Sequence, residues 1–153
     1  MKNLKTMFSS VDMTWGTPQE FYDVLNTEFN FTLDPCATIE TAKCSKFYTK
    51  ENNGLIQNWA KERVFCNPPY GSEIKKWVKK CYEENLENNI LIVLLIPVRT
   101  DTQYFHNYIY QKSNIEIRFI KGRLKFVGAS KGSGSAPFPS MLVIFKSIIR
   151  EGK

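Results

Sequence analysis

Ile90-Leu91-Ile92-Val93-Leu94-Leu95-Ile96 is the stretch of sequence that decides the fold. It is apolar throughout and shows no alternation of apolar and polar residues, so a strand formed here would be buried on both faces. Strands of that kind lie at the centre of mostly parallel sheets whose faces are covered by helices. The run therefore predicts a central strand in an α/β protein.

Strand and helix patterns alternate on both sides of this run, as in a doubly wound α/β sheet. The first helix is expected to begin with Thr17 as its N-cap and Pro18 at its first helical position. The other helices are predicted at residues 72–84 and 102–110, with a helical turn at 38–43. Strands are predicted at residues 30–33, 45–48, 64–66, 115–120 and 141–145, and a mobile loop at 128–135.

Size and composition favour one basic domain. The chain has 153 residues and a formal charge of +6, which fits a polyanionic partner but is also common in proteins that bind no nucleic acid. The cysteines form no C-x-x-C pair and His106 is the only histidine, which disfavours a zinc site and favours buried, reduced thiols. The apolar run is too short to span a bilayer and residues 1–10 lack a signal-peptide core, so a cytoplasmic protein is expected.

Asn67-Pro68-Pro69-Tyr70 is predicted to be the active site. The two prolines stiffen the loop and remove two N–H donors, so carbonyl oxygens are left pointing outward. The Asn67 carboxamide and a neighbouring carbonyl can accept both hydrogens of one amino group, while the Tyr70 ring can stack on a planar base. The tetrapeptide follows a predicted strand, at the sheet edge where such proteins bind ligands. This chemistry fits transfer of a methyl group from a sulfonium donor to a flat NH2 group.

Asp34-Pro35-Cys36-Ala37 ends an earlier predicted strand and is a candidate cofactor loop. Its small residues would allow close approach, and Asp34 could accept hydrogen bonds from a cationic or hydroxyl group. An ordinary Asp-Pro turn explains the same residues. The chain contains neither G-x-G-x-x-G nor G-x-x-x-x-G-K-[ST], which disfavours the usual nicotinamide and ATP sites.

Six motifs taken in order resemble the phage and prophage DNA N-6-adenine methyltransferase family, from about Thr14 to Phe145. They are Thr14-Trp15-Gly16-Thr17-Pro18-Gln19, Leu33-Asp34-Pro35-Cys36-Ala37, Asn67-Pro68-Pro69-Tyr70, Pro97-Val98-Arg99-Thr100-Asp101-Thr102, Gly122-Arg123-Leu124-Lys125-Phe126 and Ala136-Pro137-Phe138-Pro139-Ser140.

This resemblance implies a class I S-adenosylmethionine-dependent methyltransferase fold, Rossmann-like, with a mostly parallel central sheet, helices on both faces and a late antiparallel strand. From the chain length, residues 14–150 are expected to form a single domain after a tail at 1–13, too short for an obvious separate target-recognition domain. The resemblance implies a bacterial cytoplasm. DNA is the implied partner and S-adenosylmethionine the implied cofactor. The implied catalytic residues are Asn67, Pro68, Pro69 and Tyr70; the implied cofactor contacts are Trp15, Thr17, Pro18, Asp34, Pro35, Cys36, Ala37 and Asn67.

Two departures from the family pattern bear on the site. Asn53 stands before Gly54-Leu55 where relatives carry an acid, and the binding loop is Asp-Pro-Cys-Ala instead of the glycine-rich loop of larger methyltransferases.

Basic residues that would contact DNA are Arg99, Arg123, Lys125 and Lys131.

Alternatives to these assignments remain at this stage. Arg99 could instead form a surface ion pair, and Arg123 and Lys125 are predicted on a strand with one solvated face. The basic run from Lys75 to Lys80 is either a solvated helix face or a DNA contact, depending on which side of the cleft it lies. The tetrapeptide also fits methylation of an RNA base or of a glutamine amide, and a DNA-binding module without catalysis is a further reading.

Overall fold

The fold is built around strand β4 (Ile92–Pro97), all six residues of which are buried. The computed structural model describes residues 16–127 and 135–148. Within them, β4 pairs in parallel with β3 (Val64–Cys66) and antiparallel with β6 (Ser140–Phe145), so it is bordered on both sides. The prediction of a central strand buried on both faces is confirmed.

The remaining strands extend this sheet in both directions. β1 (Leu33–Asp34) pairs in parallel with β3 and with β2 (Lys46–Phe47), while β5 (Ile115–Phe119) pairs antiparallel with β6. In the described residues the order is β2-β1-β3-β4-β6-β5, and β6 alone runs opposite to the others. The sheet is therefore mostly parallel with one late antiparallel strand, as predicted.

Helices cover the two faces of this sheet. Neighbouring residues of β3 point to opposite faces. The Phe65 ring contacts Tyr22 of helix α1 (Gln19–Phe29), with ring centroids 5.2 Å apart. The Cys66 thiol is hydrogen-bonded to Cys81 of helix α2 (Ile74–Asn88). Helices α1 and α2 thus lie on opposite faces, and β3 and β4 are buried between them.

A third, shorter helix, α3 (Gln103–Tyr108), follows β4 and packs against α2. Its N-cap is Thr102, whose hydroxyl accepts a hydrogen bond from the Phe105 N–H. No helix in the described ranges is both long and apolar enough to cross a bilayer.

Two local predictions are wrong. Helix α1 begins at Gln19 after Pro18, and the Thr17 side chain does not cap it because its hydroxyl is bonded elsewhere. The segment containing Arg123 and Lys125 forms no strand, although Leu124 and Phe126 are more buried than the basic residues between them. Its alternation reflects a loop lying over the core, held by a hydrogen bond from the Ala136 N–H to the Leu124 carbonyl.

Some predictions concern residues outside the described ranges. They are the cofactor contact of Trp15, the DNA contact of Lys131, the tail at residues 1–13 and nearly all of the mobile loop at 128–135.

Candidate active site

A cavity of about 1130 Å³ opens where β1 and β3 end. The turn after β1 forms one wall through Pro35, Cys36 and Ala37. Asn67 and Pro69 of the loop after β3 form another wall. The cavity therefore brings together the two motifs that the sequence predicted to bind cofactor and to carry catalysis.

The Asn67 carboxamide is held at both of its ends. Its Nδ2 donates a hydrogen bond to the Thr17 hydroxyl at 3.0 Å, and its Oδ1 accepts one from the Tyr70 hydroxyl at 3.0 Å. Thr17 is only 2% exposed, so this contact lies inside the protein. The two bonds fix the plane of the carboxamide and direct it from a rigid loop, which is what precise placement of a reacting amine requires.

Thr17 thus holds the Asn67 carboxamide, whereas the sequence pattern had predicted it to be a helix N-cap. Replacing Thr17 with valine keeps the side-chain shape and removes the hydroxyl that accepts from Asn67. We expect turnover to fall about tenfold, equivalent to about 1.4 kcal/mol, which is within the usual worth of one hydrogen bond. Thr17→Ser, which keeps the hydroxyl, is the control; equal turnover in the two variants would contradict the assigned role.

Tyr70 is buried by aromatic neighbours. Its ring lies edge-on to Phe126 and Phe138, with centroids 6.1 Å and 5.4 Å away. Its hydroxyl also lies 3.3 Å from the Leu95 carbonyl. Burial raises the pKa of the phenol well above its ordinary value, and the nearby Cys66 and Tyr104 groups add to the rise. Tyr70 therefore remains a neutral hydrogen-bond donor and does not act as a base near pH 7.

Asp34 holds the turn after β1 from inside. Its carboxylate accepts hydrogen bonds from the backbone N–H groups of Lys43 at 3.0 Å and Cys36 at 3.4 Å, and the residue is 4% exposed. A single turn closed by the bond from the Ala42 N–H to the Thr38 carbonyl lies in the same loop. Asp34 is not among the residues lining the cavity, whereas Pro35, which follows it, is.

The stability of the protein should depend on the ionisation of Asp34. Burial raises the pKa of Asp34 to about 7, against the opposing effect of the two N–H bonds. The folded protein then keeps a proton that the unfolded chain releases near pH 3.8, so this contribution to stability is full below that pH and is lost as the pH rises to about 7.

Denaturant unfolding of the wild type and of Asp34→Asn over this pH range measures the effect. We expect the stability of the wild type relative to the variant to fall with rising pH, by at most about 1.4 kcal/mol per pH unit for one proton. A difference that stays constant, or that grows with pH, would contradict the assignment.

A third wall of the cavity, at residues 53–55, is fixed largely by two buried residues that the sequence analysis did not name. The short 3-10 helix Gly54–Ile56 begins beside the Pro35 carbonyl, and Asn53 caps it by accepting from the Leu55 N–H. The buried Trp59 indole donates to the Gly54 carbonyl at 3.0 Å. The buried Glu84 carboxylate in turn accepts a hydrogen bond from the backbone N–H of Trp59 at 3.0 Å.

The sequence carried little signal for this arrangement. Glu84 stands among lysines and other polar residues of α2, and its backbone partner lies 25 positions earlier in the chain. Glu84 also pairs with Lys80 at 2.7 Å, and the Lys80 ammonium lies 5.3 Å from the centroid of the Trp59 ring. A buried charge that is satisfied in this way stabilises a wall and leaves no mark on the hydrophobic pattern.

The predicted DNA contacts are only partly located. Arg99, Arg123 and Lys125 are all exposed. Arg99 follows β4 and lies near Tyr104. Burial raises the pKa of the Tyr104 phenol, and the Arg99 charge opposes part of that rise. The structure does not bring these basic residues into the cavity, and their contact with DNA stays a prediction.

Comparison with known proteins identifies the family of this chain. A family model described as DNA N-6-adenine-methyltransferase (Dam) matches residues 5–153. The DNA N-6-adenine-methyltransferase of Escherichia phage T1 is 38% identical over 93 residues, which are 60% of this chain and 38% of the phage protein. The protein named "Putative methyltransferase YfdM" of Escherichia coli K12 is 38% identical over 63 residues, 37% of this chain and 69% of that protein. Since the family model spans nearly the whole sequence, the chain belongs to the DNA N-6-adenine-methyltransferase (Dam) family.

Proposed function

We propose that this chain transfers a methyl group from S-adenosylmethionine to the N6 amino group of adenine in DNA. The observation that carries the proposal is the Asn67 carboxamide, fixed by Thr17 and Tyr70 at the wall of a large cavity. The chain matches only 38% of the length of the phage T1 relative, so the activity printed for that protein is carried over here as a proposal.

The cavity suits the methyl donor. S-adenosylmethionine combines a nucleoside with a cationic amino-acid end, and it requires a site with apolar, small and acidic parts. The lining residues include the apolar Leu55 and Trp77, the small Ala37 and Gly54, and three carboxylates; the acids are Glu40, Glu51 and Glu73. Asp34 would contribute by holding the turn, since its own carboxylate accepts from loop N–H groups. We infer a class I methyltransferase fold, which the mostly parallel sheet supports, and a single domain at residues 14–150.

The residues of the tetrapeptide would position the target amine. A carboxamide oxygen can accept two hydrogen bonds, and at Asn67 one of them comes from Tyr70. The amino hydrogens of adenine would be accepted by this oxygen and by a carbonyl of the Pro68-Pro69 segment, which favours a pyramidal nitrogen whose lone pair can react. S-adenosylmethionine held in this cavity would supply the methyl group from its sulfonium, with the neutral thioether as the leaving group.

One feature of the site and the chemistry of the amine support this mechanism without a strong base. The Tyr70 phenol stays protonated at neutral pH because its burial raises its pKa. The nitrogen would lose its proton only after methylation has made it acidic, so water or a carbonyl suffices as acceptor.

An adenine inside a duplex would have to leave the base stack to reach Asn67. Enzymes that act on bases extrude them in this way at a cost of a few kcal/mol.

Transfer of tritium from labelled S-adenosylmethionine to bacterial genomic DNA tests the proposal. The DNA is then digested to nucleosides and the label identified by chromatography. We expect the label in N6-methyladenine, and we expect Asn67→Ala to abolish most of it.

RNA of mixed sequence and a glutamine-containing protein extract serve as alternative acceptors. Label in RNA or in a glutamine amide, and none in DNA, would overturn the DNA assignment and leave methyl transfer intact. The absence of label in every acceptor, together with no binding of S-adenosylmethionine by calorimetry, would overturn the enzyme proposal itself. Sequencing of the methylated DNA would then define the target adenines.

A further inference from the structure

A second cavity lies between helices α2 and α3 and is lined by lysines on one side. Its volume is about 490 Å³. Lys75, Lys76 and Lys79 of α2 form the basic side. The opposite side is polar and aromatic; it comprises Thr102, Gln103, Tyr104, Asn107 and Tyr108. We call this cavity the α2–α3 groove.

The groove keeps a net positive charge. Lys75, Lys76 and Lys79 are exposed, and within the described residues neither Lys75 nor Lys79 takes part in an ion pair. Lys76 pairs with Glu73 at 3.2 Å, but both partners are about half exposed, so solvent weakens the pair. Lys80 of the same helix differs, because Glu84 neutralises it inside the protein. Part of the basic run is therefore structural, and the rest is directed at the groove.

The groove adjoins the candidate active site at two points. Lys76 lines both the groove and the cavity that contains Asn67. Tyr104 lines the groove and lies close enough to Tyr70 to contribute to the raised pKa of its phenol. Arg99 lies near Tyr104 as well, and Asp101 is the acidic group on that side. A strand lying in the groove would lead directly toward the catalytic tetrapeptide.

We propose that the α2–α3 groove binds the phosphate backbone of the DNA strand next to the target adenine. Lysine ammonium groups bind phosphates as point charges, and the amide groups of Gln103 and Asn107 offer neutral donors to the same oxygens. In the part of the chain that the structure describes, no Asp or Glu side chain lines the groove; Glu73 and Asp101 lie close to lining residues in the sequence but are not among them. This inference rests on the proposed function and adds to it where the substrate enters.

The double variant Lys75→Gln/Lys79→Gln tests the groove. Lys76 is left intact because it also lines the catalytic cavity. We expect the KM for DNA to rise at least about fivefold, with turnover at saturating DNA retained, because contacts to phosphate position the duplex. The slope of the logarithm of DNA affinity against the logarithm of salt concentration should weaken by about 2, since about one counterion is released per phosphate contact. Fluorescence anisotropy of a short labelled duplex measures that slope.

The matched control is Lys61→Gln/Lys146→Gln. Both lysines are exposed, and they lie at the opposite edge of the sheet, before β3 and after β6. This variant removes the same charge from a chain of formal charge +6, so it separates a local contact from a general loss of positive charge.

The outcomes distinguish this inference from the proposed function. If the wild type transfers no methyl group to DNA, the proposed function fails and the inference fails with it. If the wild type is active but the groove variant has the KM and salt slope of the control, the inference alone is wrong. A rise in the KM for S-adenosylmethionine in place of that for DNA would also overturn it, since it would indicate distortion of the neighbouring cavity.

Discussion

Replacement of Asn67 by alanine is expected to lower the rate of methyl transfer at least about a hundredfold while leaving the protein folded. The carboxamide is the group best placed to hold a reacting amine, since Thr17 and Tyr70 hold it at both ends. Removal of one such preorganised contact typically costs 10²–10³ in turnover, which is about 2.7–4 kcal/mol of transition-state stabilisation. Single-turnover kinetics with labelled S-adenosylmethionine would measure the chemical step directly.

Asn67→Gln tests the position of the amide group, which Asn67→Ala removes altogether. It keeps both ends of the amide and moves them by one methylene group, so it should be nearly as slow as Asn67→Ala if position matters. Thermal unfolding and calorimetry of S-adenosylmethionine binding serve as controls for folding and for the cofactor cavity. Turnover near that of the wild type in either variant would refute the role given to Asn67.

Replacement of Gly54 by alanine is expected to have the largest effect on the cavity itself. An added Cβ atom would lie 2.1 Å from the Pro35 carbonyl oxygen and 3.1 Å from the Trp77 ring. A contact of 2.1 Å cannot be tolerated, and the obstructing atom belongs to the backbone, so the turn after β1 must move. Overpacking of this kind costs about 1–3 kcal/mol and occasionally more. We expect a loss of stability of at least about 2 kcal/mol and a decrease of more than tenfold in affinity for S-adenosylmethionine.

Gly122→Ala is the natural comparison. A Cβ atom there would meet no atom within 4 Å, but the residue has a φ of +76°, so its substitution carries only a backbone penalty of about 1 kcal/mol. Denaturant unfolding should therefore detect both variants, and cofactor calorimetry only Gly54→Ala. An unchanged cofactor affinity in Gly54→Ala would show that the wall at residues 53–55 does not support the binding site.

The sequence predicted those features that depend on neighbouring residues. The unbroken apolar run predicted β4 because burial on both faces leaves no polar position, and the tetrapeptide was located because it follows a strand directly. The partner of Asn67 could not be predicted. Thr17 precedes it by 50 positions, and its residue type suggested a helix cap. The bond from Trp59 to Glu84 was missed for the same reason, since folding alone brings them together.

The basic run of α2 shows a different limit. Its helical pattern placed the lysines on the solvated side of a helix, but a pattern of exposure does not reveal what faces that side. The tertiary structure separates Lys80, which pairs with Glu84 beside the Trp59 ring, from Lys75 and Lys79, which line the groove between α2 and α3. The formal charge of +6 fits a polyanionic partner without requiring one, and only the tertiary structure supplies the groove proposed to bind it.

The separation of the two sheet edges makes the protein a practical starting point for engineering. In the described residues, the loops at 58–63, 88–91 and 109–114 lie at the edge opposite to both cavities and contribute no lining residue to either. Gln111 in the last of these loops is exposed and has a φ of 58°. A programmable DNA-binding module inserted there would leave both cavities untouched, and the proposed methyl transfer could then be directed to chosen loci.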